Sequence, residues 1–264
     1  MKNTNLKWLK SLLVLSIVFA LSSFNSNAQT SDSLYKPERE FKNTIRFNVT
    51  NPLIFGGKSL IFGYERILKH NRSFSINIGQ AALPNFENGF SDEFRSKTVL
   101  SEGGFHISGD YRFYLSKLNK YNAPRGVYIG PYYSYNRFSK GHDWEYTEEG
   151  TTDVKTINSD LSLKIQQLGL ELGYQFVFWK RFSVDLILMG PGVASYKVKA
   201  SAEGNLTDSE RELFFEKLNQ ALKDKFPGYS GSVGDNADGE FEKNGSVSTT
   251  SLGFRYMINV GYRF

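Results

Sequence analysis

The chain has 264 residues, a formal net charge of +5 and no cysteine. Without cysteine, neither a disulfide framework nor a thiolate metal site is available. No run of five like charges occurs, so the clustered basic stripe that nucleic acid requires is missing and that partner is excluded.

Residues 1–10, MKNTNLKWLK, carry three lysines and no acid, and SLLVLSIVFAL follows as a short apolar core. Ser26 and Ala28 then stand at minus three and minus one of a cut before Gln29. This layout predicts a secretory signal peptide over 1–28. The apolar core is too short for a retained anchor, which needs ~20 residues. Removing it takes away Lys2, Lys7 and Lys10 and lowers the formal charge from +5 to +2. No cysteine stands at the expected cut, so a lipid anchor there is not expected. A polar lead-in over 29–41 is predicted to precede one domain, 42–264.

That domain reads by a period of two, the signature of strands with two unlike faces. In 42–51, Ile45, Phe47 and Val49 oppose Thr44, Arg46 and Asn48; in 59–68, Leu60, Phe62 and Tyr64 oppose Ile61, Gly63 and Glu65. In 73–81, Phe74, Ile76 and Ile78 oppose Ser75, Asn77 and Gly79. In 104–115, Phe105, Ile107, Tyr111 and Phe113 oppose His106, Ser108, Asp110 and Arg112. The segment 127–138 alternates less cleanly around Pro131, a residue that ordinarily marks an edge or bulge. The strand 163–178 sets leucines and aromatics against Glu171 and Gln175, and 182–198 sets Val184 and Leu186 against Asp185. In 252–264 the apolar set ends in Tyr262 and Phe264 and opposes Arg255 and Arg263.

Eight strands with long connectors at 82–103, 139–160 and 199–245 fit a bacterial transmembrane barrel, with short turns on one rim and long loops on the other. A soluble up-and-down barrel would show the same period with its apolar face inward. Charge separates the two. Arg46, Glu65, Asp110, Arg112, Glu171, Asp185, Arg255 and Arg263 fall on one set of faces, four acids and four bases, while the opposing faces are almost uncharged. A water-facing surface would be expected to carry charge. The eight charges are therefore expected to line the lumen as interlocking pairs, because an eight-strand interior is narrow enough for side chains to fill.

With its leader, eight alternating strands and terminal YRF, the chain resembles small Gram-negative outer-membrane barrels of the OmpA, OmpX and OmpW kind. SLIFGYERIL, GDYRFYL and GVYIGPYYSY also resemble an uncharacterised subgroup of such barrels. The resemblance implies outer-membrane location, periplasmic termini and contact with outer-membrane lipid. It also implies that Ile258, Val260, Tyr262 and Phe264 form the signal read by the barrel-assembly machinery. It implies little about activity.

Chemistry is thinly represented. His106, Ser108 and Asp110 share one strand face, but same-face residues lie ~6.6 Å apart, and lumen-lining polarity is the expected role. His142, Asp143 and Glu145 are expected in a loop, without the geometry of a metal site. GDNADGE, 234–240, lacks the order of a calcium loop. No catalytic residue, metal or cofactor is expected. TDSERELFFEKLNQALKDKF, 207–226, opens with Thr207 and Glu210 at capping-box spacing and predicts a helix in the last loop, ended by Pro227 and Gly228. It could cover the barrel mouth, lie on the leaflet or dock a protein partner through 199–245. The expected function is structural or surface-interacting, with a narrow OmpW-like solute barrel and a rim lipid-modifying enzyme as alternatives.

Overall fold

The computed structural model describes residues 41–83, 93–148, 153–226, 228–234 and 244–264. The predicted signal peptide, the lead-in up to residue 40 and residues 235–240 lie outside them. The strands are β1 (Asn43–Asn48), β2 (Leu60–Lys69), β3 (Arg72–Gln80), β4 (Phe94–Tyr114), β5 (Gly126–Thr147), β6 (Val154–Phe178), β7 (Phe182–Gly204) and β8 (Asn244–Arg263). A short helix α1 (Thr50–Phe55) joins β1 to β2, and α2 (Asp208–Lys225) lies between β7 and β8. Each strand is antiparallel to the next, and β8 pairs with β1, so the fold is a closed eight-stranded barrel. The seam is tied at the chain end, where Asn43 N–H donates to Phe264 O at 3.1 Å and Phe264 N–H to Asn43 O at 2.9 Å. Closure leaves no unpaired edge over the rungs that β1 to β3 reach; above them β4 pairs only with β5 and β8 only with β7. Among the described residues no helix is long and apolar enough to cross a membrane.

The wall is uneven in height. β1 to β3 hold 6, 10 and 9 residues, whereas β4 to β8 hold 20 to 25. Strand therefore extends into the connectors expected at 82–103, 139–160 and 199–245, over 94–103, 139–147, 154–160, 199–204 and 244–245. Pro131 does not end β5 either. It faces outward opposite Leu170 of β6, and pairing to β4 skips from Tyr132 to Ile129, which accommodates the missing N–H.

The tall strands change character along their length. The β5–β6 pairing runs from Gly126↔Gln175 to Thr147↔Val154 without a register shift, so each face is continuous. Below Gln166, Leu168, Leu170 and Leu172 point outward while Glu171 and Gln175 are buried. Above it, Asn158, Asp160, Ser162 and Lys164 point outward while Ile157, Leu161, Leu163 and Ile165 are buried. β7 switches between Val193 and Ser195, and β8 between Leu252 and Thr250, the residues paired laterally with Leu168 and Gln166. The barrel is thus polar-cored and apolar-walled at one end, and apolar-cored and polar-walled at the other.

The upper core is completed by α2. Thr207 is its N-cap and accepts from the Glu210 N–H, while Glu210 Oε2 accepts from the Thr207 N–H at 2.7 Å, so the capping box is formed. Phe214, Phe215, Leu218, Ala221 and Leu222 pack against Phe94, Phe138, Trp144 and Leu163 of the sheet. Lys155 at the top of β6 donates to Glu210 Oε1 at 2.6 Å. Asn219 holds the following segment by accepting from Val233 N–H at 2.7 Å and donating to Val233 O at 2.9 Å. The helix covers its own barrel.

Candidate functional site

Alternation along β1, β2, β4, β6, β7 and β8 carries seven of the eight expected lumen charges to one level of the polar-cored end. Arg112 is the hub. Its Nε lies 2.5 Å from Asp110 and 3.8 Å from Glu171, its Nη1 3.6 Å from Glu65 and its Nη2 3.0 Å from Asp185. Arg46 reaches Asp185 at 2.9 Å and Glu65 at 3.9 Å. Arg255 reaches Glu171 at 3.1 Å and Asp110 at 3.7 Å. Three guanidinium groups thus serve four carboxylates, because Arg263 is elsewhere. It sits at the chain-end rim, where it donates to Lys180 O and Phe41 O, both at 3.0 Å. Its place on the same alternating face is real, but that face has run out of lumen by the last rung.

Uncharged groups, which charge patterning does not reveal, complete the plug. Tyr114 Oη donates to Gln175 Oε1 at 2.8 Å, Tyr128 Oη to Asp185 at 2.7 Å and Gln175 Nε2 to Glu65 at 3.1 Å. The Arg112 guanidinium lies over the Tyr128 ring at 4.4 Å from its centroid. Shared parity with the charged residues is the signal that identifies these partners. Arg46, Glu65, Arg112, Tyr128, Gln175 and Asp185 are each 0 to 1 % exposed, so side chains fill this level of the barrel. Such an interior fixes geometry and has no excess positive charge with which to draw anions through.

Above the plug, between α1 and the upper wall, lies a cavity of about 220 Å³. Polar groups of His106, Asn136, Gln167 and Arg255 line it together with Phe138 and Ile165. Its lining also includes Ile54 of α1 and Phe254 and Tyr256 of β8. The latter two are exposed on the outer face, so the cavity reaches the outside between α1 and β8, above the short wall.

His106 borders this cavity. Its Nε2 is 3.0 Å from Ser108 Oγ and its Nδ1 2.7 Å from Asn136 Oδ1. Side-chain reach therefore closes the gap that strand spacing leaves between His106 and Ser108. Asp110 takes no part; its carboxylate accepts from Ser75 and Arg112. Ser108 is 2 % exposed, also accepts from Asn77 Nδ2 at 3.2 Å, and does not line the cavity. His142, Asp143 and Glu145 lie on β5 rather than in a loop. Alternation turns the His142 ring inward onto Trp144, at 5.1 Å between centroids, while Glu145 pairs outward with Lys97 at 2.9 Å. Among the described residues no His, Asp and Glu cluster forms a metal site.

No protein-family model matches the chain, and no curated protein matches it either. Among solved structures it is similar to a major outer membrane protein from Thermus thermophilus, with 15% identity, 84% of this chain and 98% of that one covered, and a TM-score of 0.35.

Proposed function

We propose that the protein is a non-enzymatic outer-membrane barrel in which a plugged lower barrel anchors a rigid upper platform for structural or surface-interaction roles. The observation that carries this reading is the exchange of polarity on both faces at one level of β6, β7 and β8. The apolar outer band on β6 runs from Leu168 to Phe178, a length that matches the ~9 to 11 tilted residues a strand needs to cross hydrocarbon. Above it, the same strand continues from Gln166 to Val154 with a polar exterior, roughly 40 Å of strand at ~3.3 Å per residue. In this reading the termini are periplasmic, and Ile258, Val260, Tyr262 and Phe264 present the assembly signal on the lipid-facing side of the seam strand. The apolar side of α2 is used internally. A protein partner of 199–245 would therefore meet its polar side, around Glu212, Glu216 and Gln220. Two measurements test this on the full processed protein. Reconstituted into planar bilayers, it is expected to give no conductance steps, and photo-crosslinkers at Glu216 and Gln220 in intact cells are expected to trap a partner. Stepwise conductance with no crosslinked species would reject the reading.

The cavity favours a second reading, a narrow OmpW-like barrel that admits small solutes sideways between α1 and β8. Its volume exceeds the ~150 Å³ that suffices for benzene in an apolar cavity. Uptake of a small fluorescent aromatic by the reconstituted protein, abolished by Ile165→Trp, supports it; uptake unchanged by that filling substitution removes it.

A further inference from the structure

The outer wall of the tall strands is a ladder of paired residues. Tyr133, Leu168, Val193 and Leu252 form its last apolar rung, and Tyr135, Gln166, Ser195 and Thr250 the next. The following rung sets Arg137 directly opposite Lys164, and Lys164 directly opposite Lys197. Lys199 stands one rung higher on the same face. Among the described residues none of these four cations lies within ion-pairing distance of an acid. The acids of this face stand farther up, Asp160 beside Gly141 and Ser201, then Asp143 and Glu203 flanking Asn158. Like charges placed directly opposite each other on a sheet oppose folding. Interleaving the acids would relieve this, yet on β5 to β7 the outer face keeps cations below and acids above, and the upper cation Lys97 of β4 is already paired with Glu145.

We propose that Arg137, Lys164 and Lys197 form a binding site for phosphate groups of outer-leaflet lipid headgroups. The inference rests on the membrane reading above and adds the headgroup that this wall selects. The cationic rung is four residues above the last apolar one, roughly 13 Å along the strand and less in height because strands tilt. Long basic side chains at that level reach the interfacial layer with their stems on apolar surface. Cross-strand neighbours have Cβ atoms about 5 Å apart, so three cations in a row span about 10 Å and suit a headgroup bearing more than one phosphate. Arg supplies paired donors for one phosphate and the lysines supply point charges for another. The acids above repel the same headgroup and fix how far the barrel sinks.

The test uses full processed protein in phosphatidylcholine vesicles doped with lipid A, a bis-phosphorylated disaccharide lipid. Insertion is scored first by flotation, for the wild type and for Arg137→Gln/Lys164→Gln/Lys197→Gln. The protein is then extracted in mild detergent and its retained lipid A counted by mass. Wild type is expected to retain lipid A selectively, with roughly fivefold less retained for each cation removed. Neutralising Lys217, Lys223 and Lys225 on α2 instead is expected to change nothing. Equal retention by the wild type and the triple variant, or equal loss from both sets of substitutions, overturns the site. Displacement of lipid A by millimolar inorganic phosphate alone assigns the rung to free phosphate and overturns the lipid assignment. Wild type that fails to float overturns the membrane reading itself, a result distinct from insertion without selectivity.

Discussion

Arg112 concentrates the energetic stakes of the barrel interior, because four carboxylates approach one side chain with no access to water. Removing one member of a buried charge cluster leaves its partners uncompensated, at a cost of about 3 to 5 kcal/mol. Arg112→Leu is expected to lower the free energy of unfolding in detergent by that order, whereas Lys58→Ala, at an exposed pair with Glu102, is expected to leave it unchanged. A second residue-scale prediction concerns Glu210. Burial pushes its carboxyl up, but hydrogen bonds from Lys155 and Thr207, with the lysine's charge, outweigh this and hold it below the usual glutamate range. A carboxyl held low in the folded state stabilises it fully above about pH 4.3 and loses that contribution as the pH falls through the depressed value. Fluorescence of Trp144, whose ring packs 6.1 Å from Phe214 of α2, is expected to report loosening of the helix below about pH 4.3. Lys155→Gln is expected to move that onset to higher pH, and an unchanged onset would remove Glu210 as its origin.

At the scale of elements, α2 packs on the upper core formed by β4 to β7 and is expected to open separately from β1 to β3. Thr207→Ala removes the N-cap and is expected to cost about 1 kcal/mol, and Leu222→Ala about 2 to 5 kcal/mol through the cavity it leaves. Hydrogen exchange is expected to show both effects in α2 and in the 228–234 segment, with β1 to β3 unchanged. Uniform acceleration through β1 to β3 would mean that lid and barrel open together. The helix was legible in the sequence because cap, apolar recurrence and stop signal agree. The upper strands were not. Their alternation is present, with Ile157, Leu161, Leu163 and Ile165 on odd positions, but Leu168, Leu170 and Leu172 occupy even ones. One apolar phase breaks at Gln166 and Gln167, so the strand read from the sequence reaches back only to 163, and the part of β6 before it, from 154, falls to loop. The small inward residues Ala194, Ala200 and Ala202 of β7, which leave room for α2, weaken the signal further.

For the whole molecule, the charged residues told which face is enclosed at one end only. Glu171 and Asp185 required an enclosed polar interior. Nothing local in Lys164 or Lys199 distinguishes a cation outside an apolar core from one inside a polar barrel, because that depends on where the helix packs. Arg263 shows the same limit, since parity assigns a face but not a depth. The central claim is that the wall meets hydrocarbon below Gln166 and water above it. The chain has no cysteine, so a single introduced thiol carries a unique label. Spin labels at Leu170→Cys, Leu188→Cys, Ser162→Cys and Ser201→Cys, in vesicles, are compared for access to oxygen and to a water-soluble nickel chelate. Labels at 170 and 188 are expected to collide with oxygen and be shielded from nickel, and those at 162 and 201 the reverse. Nickel reaching 170 and 188 as readily as 162 and 201 would contradict the claim.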